Sequence, residues 1–193
     1  MLLNILKQIN WVDIFILIII VRICYVSVKT GFPIELFKLI GTLAAIYLSL
    51  HYYLVLSNNI KNWLYLGDKL PFEFLQFVVF SLLALGGYCF FVLIRSIFYR
   101  FLKMEAVSTL NKWGSLILGV ARAIFLASLI MFMLVISSVG YFNNSVKASY
   151  LGKMIFVVSP NTYTWIWNAV ISKFASGENY NKAITSINED FIK

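Results

Sequence analysis

Charge is scarce in this sequence. Asp, Glu, Lys and Arg make up 12% of its 193 residues, about half the share of a soluble domain. That is too little to cover a surface facing water, so lipid is the expected solvent. Histidine occurs once, at His51, and cysteine twice, at Cys24 and Cys89. Two isolated cysteines within apolar runs make neither a disulfide framework nor a metal motif, and they read as small buried hydrophobes. The motifs GxSxG, HExxH, paired CxxC and the P-loop are all missing. With one histidine and eight acids, nucleophilic and metal chemistry have almost no material. No enzymatic activity, cofactor or metal site is expected.

What is present is apolar. Hydrophobic residues make up 61% of the chain and aromatics 17%, with a mean hydropathy of +0.86. The apolar residues gather in four long runs, at about 11–28, 34–56, 72–98 and 113–139. About 20 residues cross the hydrocarbon layer as a helix, so each run is long enough. The runs are continuously apolar rather than alternating, which excludes barrel strands. The expected fold is all-α, with four transmembrane helices in two antiparallel hairpins (1–139). A short interfacial, helical C-terminal tail follows (140–193), amphipathic and partly disordered. Asp13 and Arg22 interrupt the first run and no small-x-small cleavage site follows it, so it reads as a span rather than a signal peptide.

The links carry turn chemistry. In Lys29-Thr30-Gly31-Phe32-Pro33, Gly31 tolerates a left-handed conformation and Pro33 suits a first helical turn. Glu35 then falls where a carboxylate favours the helix dipole. Two stripes of small residues recur at a spacing of four, Gly41/Ala45/Ser49 and Ser115/Gly119/Ala123. That spacing places each set on one helix face, where a second helix can approach closely. The stripes are expected to face each other or a second copy of the chain.

The formal net charge is +8. The cations flank the apolar runs without forming a basic stripe with interleaved aromatics, so they point to membrane lipid and not to nucleic acid. Arg22, Lys29, Lys38, Arg95, Arg100, Lys103 and Lys112 lie toward the links joining spans one to two and three to four. Lys7, Lys61, Lys69, Lys147 and Lys153 lie toward the other face. The positive-inside rule puts the first set in the cytoplasm and both termini outside it.

Charges within the spans are functional candidates by default. Arg22 lies about 10 Å from the inner end of span one and Arg122 about 13 Å from that of span four. Glu35 is the nearest carboxylate in the bundle. An inner cluster of Arg122, Glu35 and Arg22 with Lys38 at its rim is therefore expected, against the alternative that each arginine snorkels alone. Asp13, at the outer end of span one, reads as a first-turn charge or as part of a polar path. His51, beside Tyr52 and Tyr53, reads as a member of an interfacial aromatic belt.

Three elements together resemble the colicin V production protein family (CvpA). Asn10-Trp11-Val12-Asp13 opens a span. Lys29-Thr30-Gly31-Phe32, with Glu35 after it, resembles the family's basic-Gly-Phe-x-x-Glu link. Asn111-Lys112, Ser115, Gly119 and Arg122-Ala123 resemble its fourth-span pattern of Asp-Arg, Gly, Gly and Arg-Gly. Asn111 departs from the family acid, so a salt bridge made by that acid would be lost. The resemblance covers about Asn10 to Val139, with the tail matching only through Ser159-Pro160. It implies a bacterial inner-membrane protein of four helices, linked to colicin V production or secretion and to envelope homeostasis. Its expected partners are itself or other membrane proteins. The competing expectation is a small channel or transporter whose path is lined by Arg122, Glu35 and Asp13.

Overall fold

The computed structural model describes residues 10–63, 71–101, 108–137, 139–175 and 177–192. No strand occurs among the described residues. Four helices are long and apolar enough to cross a membrane. They are α1 (Trp11–Thr30), α2 (Phe32–Trp63), α3 (Phe72–Phe101) and α4 (Ser108–Ile136). Helix α2 runs about two turns past its expected end at residue 56, into a stretch whose polar residues look like loop. Lys7, Lys69 and Lys103 of the orientation argument lie outside the described residues.

The lateral order of the helices is α1–α4–α2–α3. The expected pair of hairpins is therefore corrected. Helices α1 and α2 are joined by the single residue Gly31 yet touch little, and α3 and α4 also touch sparsely. The cause is where the small residues lie. A Cβ on Gly119 of α4 would overlap the Ser27 side chain of α1. A Cβ on Gly41 of α2 would lie 2.8 Å from Phe91 Cβ of α3, and one on Gly87 of α3 would lie 3.1 Å from the Ala45 Cα. Backbones meet closely at these points, so α1 takes α4 as its partner and α2 takes α3.

All six stripe residues are buried within this one chain: Gly41, Ala45 and Ser49 on α2, and Ser115, Gly119 and Ala123 on α4. The expectation that the stripes face each other or a second copy is thus corrected. Gly41 and Ala45 meet α3, Gly119 meets α1, and none of the six remains free for another chain. The two serines contribute differently from the glycines. Ser49 is fully buried, but its hydroxyl turns back to donate to the Ala45 carbonyl of its own helix at 2.6 Å. Ser115 likewise donates to the Lys112 carbonyl at 2.9 Å. Ser49 therefore forms no hydrogen bond to a neighbouring helix among the described residues. Its hydroxyl is satisfied locally, as a serine within a helix can do, and it serves packing only through its small size.

Helices α2 and α4 form the centre. Helices α1 and α3 lie outside them and present Leu17, Val21, Leu82 and Leu93 outward. Such apolar surfaces are stable against lipid and not against water.

The tail is more ordered than its polar composition suggests. It forms α5 (Gly140–Ala148), α6 (Tyr150–Phe156), α7 (Val158–Ile166) and α8 (Lys182–Ile192). Helix α7 continues through a π-helical turn, Trp167–Ile171, and a final turn, Ser172–Phe174. A file of rings joins the tail to the bundle: Tyr53–Phe80 at 5.8 Å, Phe80–Phe132 at 5.5 Å, Phe132–Phe156 at 5.7 Å and Phe156–Phe191 at 3.9 Å. The Ser128 hydroxyl of α4 donates to the Phe156 carbonyl and accepts from the Ser159 amide. The helical tail expected from the sequence is thus present among the described residues, and α8 continues it through a stretch whose polar residues look frayed. Ile184 and Phe191 are buried where one apolar face of α8 meets the bundle.

Candidate functional site

The site begins at the turn between α1 and α2. Gly31 has φ +84°, a conformation that a side chain resists. It also leaves no space, since a Cβ there would lie 2.7 Å from Asn111 Oδ1. That same oxygen accepts the Phe32 amide at 2.7 Å. Asn111, on α4, therefore caps the first turn of α2 from a neighbouring helix and satisfies one of the amides that a helix start leaves open. The residue at 111 acts here as an acceptor for an amide, which Asn does as well as Asp. The lost salt bridge expected from the departure at 111 is not what this geometry requires. Asn111→Asp is expected to fold like the unaltered chain. Asn111→Leu should lose about 1–2 kcal/mol, read as a lower unfolding midpoint in detergent.

The cap fixes Glu35 in the first turn of α2, between the helices at this end of the bundle. Its carboxylate is fully buried. Oε1 accepts from Thr30 Oγ1 at 2.5 Å and from Lys38 Nζ at 2.6 Å. Oε2 lies 2.9 Å from Arg122 Nη2, in an ion pair whose angle falls outside hydrogen-bond geometry. Arg122 is only 5% exposed, and its Nε has no partner. The cluster ties α1, α2 and α4 together through one carboxylate.

One expected member, Arg22, is absent from it, and Asp13 stands apart. Arg22 is exposed and forms no ion pair among the described residues. Helix phase explains this: Val12, Ile16 and Ser27 face inward, which turns Arg22 outward with Val21 and Tyr25. The arginine can then run its stem along lipid toward the headgroups. Asp13 lies at the opposite end of α1, about 25 Å from Thr30 along the axis. It is buried and serves a different purpose. Oδ2 accepts the Asn10 amide at 2.8 Å, as a first-turn charge does. Oδ1 accepts the Ser149 hydroxyl at 2.7 Å and the Leu151 amide at 2.8 Å. The carboxylate thereby anchors the start of α6, where the helix dipole favours it.

A further polar group stands at the Asp13 end of the bundle, and sequence reading did not assemble it. His51 is buried. Its Nδ1 meets the Tyr163 hydroxyl at 2.9 Å and its Nε2 meets Glu178 Oε2 at 3.1 Å. Tyr52 donates to Glu178 Oε1 at 3.0 Å. The imidazole is stacked between Tyr47, at 5.1 Å, and Trp167, at 5.5 Å. Hydrogen bonds from His51 and Tyr52 hold the Glu178 carboxyl below its ordinary range, and burial pushes the Tyr163 hydroxyl up to about 12. The group fastens the tail to α2, together with Asn181 Nδ2 donating to the Leu50 carbonyl at 2.7 Å. More than 100 residues separate His51 from both partners, so no local spacing announces it.

Among the described residues no three His, Cys, Asp or Glu side chains gather as a metal site. An apolar groove of about 460 Å³ lies among α2, α3 and α4, and neither Glu35 nor Arg122 lines it.

These features define a class: a four-span helical membrane protein with a buried ion pair at one end and a tail locked onto the other. The chain belongs to the colicin V production protein family, whose family model matches residues 12–174. The match reaches well past Val139, where the resemblance in the sequence was expected to stop, and takes in α5 to α7. No curated protein and no solved structure matches the chain significantly.

Proposed function

We propose that this protein is a non-catalytic scaffold of the bacterial inner membrane. It supports colicin V production or export and envelope homeostasis by pairing its outer helices with membrane proteins or with its own copies. The supporting observation is how the intramembrane polar groups are used. Asn111, Asp13 and Glu35 each hold one helix to another, and the groove among α2, α3 and α4 is apolar. A transport path would instead leave such groups facing a polar cavity. The apolar outer faces of α1 and α3 are then the surfaces left for partner helices. Orientation follows the arginine distribution, with the Glu35 end in the cytoplasm and the tail outside.

Crosslinking in native membranes, followed by affinity capture of the full chain, tests this reading. A discrete adduct with a membrane protein or a second copy is expected. A chain that stays monomeric under crosslinking and passes small solutes through sealed liposomes would replace the scaffold with a channel.

A further inference from the structure

The apolar groove has a feature common to its three walls. On α2 it is lined by Thr42 and Ala45, with Lys38 one turn nearer the Glu35 end. On α4 it is lined by Leu126 and Ile130, with Arg122 one turn nearer the same end. On α3 it is lined by Ala84 and Tyr88, with Arg95 two turns, about 10 Å, nearer that end. Spacings of four and seven keep each cation on the helix face that lines the groove. Tyr88 also lines the narrow crevice that holds both Lys38 and Arg95.

Three cations thus converge below one groove, and among the described residues a single carboxylate, Glu35, answers them. Lys38 and Arg122 share it. Arg95 is half-buried and forms no ion pair among the described residues. Arg122 Nε is a buried donor without an acceptor. Surplus positive charge within a bilayer, with Arg95 left without a carboxylate among the described residues, calls for an anion. The groove above them calls for a hydrocarbon chain. It opens where α3 and α4 separate, and Leu85 on its rim is exposed.

We infer that this is a binding site for an anionic phospholipid of the surrounding bilayer. One acyl chain lies in the groove, and the headgroup phosphate lies against Arg95 and Lys38. A phosphate there supplies the missing negative charge, and the chain fills space that packing otherwise leaves empty. The site requires only that the four helices span a bilayer, so it stands or falls separately from the scaffold reading.

The test uses the full chain in detergent with defined lipid, read by native mass spectrometry. Phosphatidylglycerol is the anionic probe and phosphatidylcholine the neutral one. The unaltered chain should retain phosphatidylglycerol about ten-fold better. Arg95→Gln should cut that preference about five-fold, the effect of one cation near a membrane surface. Ala84→Leu fills the groove and should reduce retention of both lipids, with helicity by circular dichroism confirming a folded chain. Equal retention of the two lipids by the unaltered chain overturns the proposal, and so does an undiminished preference in Arg95→Gln. Unchanged retention in a folded Ala84→Leu chain overturns the placement of the acyl chain.

Discussion

Glu35→Ala is expected to be among the most damaging single changes in this protein. It removes the one carboxylate that Arg122 and Lys38 share among the described residues. Arg122 is almost wholly buried, so its charge would stay in the bundle without a counter-ion or escape only by prising α4 from α2. Breaking a buried pair from one side costs about 3–5 kcal/mol. The loss should appear as reduced accumulation in membranes and a lower unfolding midpoint in detergent. The double variant Glu35→Leu/Arg122→Leu should recover much of it, because both charges then leave together. Arg122→Ala breaks the pair from the other side, but Lys38 still neutralises Glu35, so its loss of stability should be smaller than that of Glu35→Ala. A Glu35→Ala chain that unfolds within about 1 kcal/mol of the unaltered protein would show that the ion pair does not hold the bundle.

Gly119→Leu is the second. The first atom of any side chain at 119 overlaps the Ser27 side chain across the α1–α4 contact. Overpacking in a close-packed interior typically costs about 1–3 kcal/mol. Here a backbone must also move, since α1 has no other large interface within the bundle. We expect α1 to detach from α4, with loss of the tail contacts that depend on Asp13. Cysteine crosslinking between α1 and α4 reads this directly. Retained crosslinking at normal protein levels would count against the packing role of Gly119. Gly86→Leu is the control, because a Cβ at Gly86 meets nothing within 4 Å. That variant should accumulate normally.

The contrast between Gly119 and Gly86 marks the boundary of what a single chain reveals. Both are glycines in apolar helices, and no local rule separates the one that packs from the one that faces outward. Likewise, depth along the membrane normal placed Arg22 and Arg122 at similar levels. Rotation about the helix axis decided that only Arg122 reaches Glu35. Residue spacing gives depth directly, because the rise per residue is fixed. It gives rotation only relative to the same helix, and the partner chosen by each face is a property of the assembled bundle. The stripe Gly41/Ala45/Ser49 illustrates this. Its spacing put all three on one buried face, but only the assembled helices show that α3 covers Gly41 and Ala45.

The sequence alone determined the solvent, the number of spans, their approximate ends and the family resemblance. Each follows from composition or from short-range order: apolar runs demand lipid, and helical rise converts their length into thickness. It also placed Gly31 in a turn and Glu35 in the first turn after it. Tertiary structure decided the lateral order α1–α4–α2–α3, the capping of α2 by Asn111 and the locking of the tail through Asp13 and His51. It also brought three cations below one groove. These contacts join residues far apart in the chain, and their energy comes from burial and pairing that exist only once the helices have met.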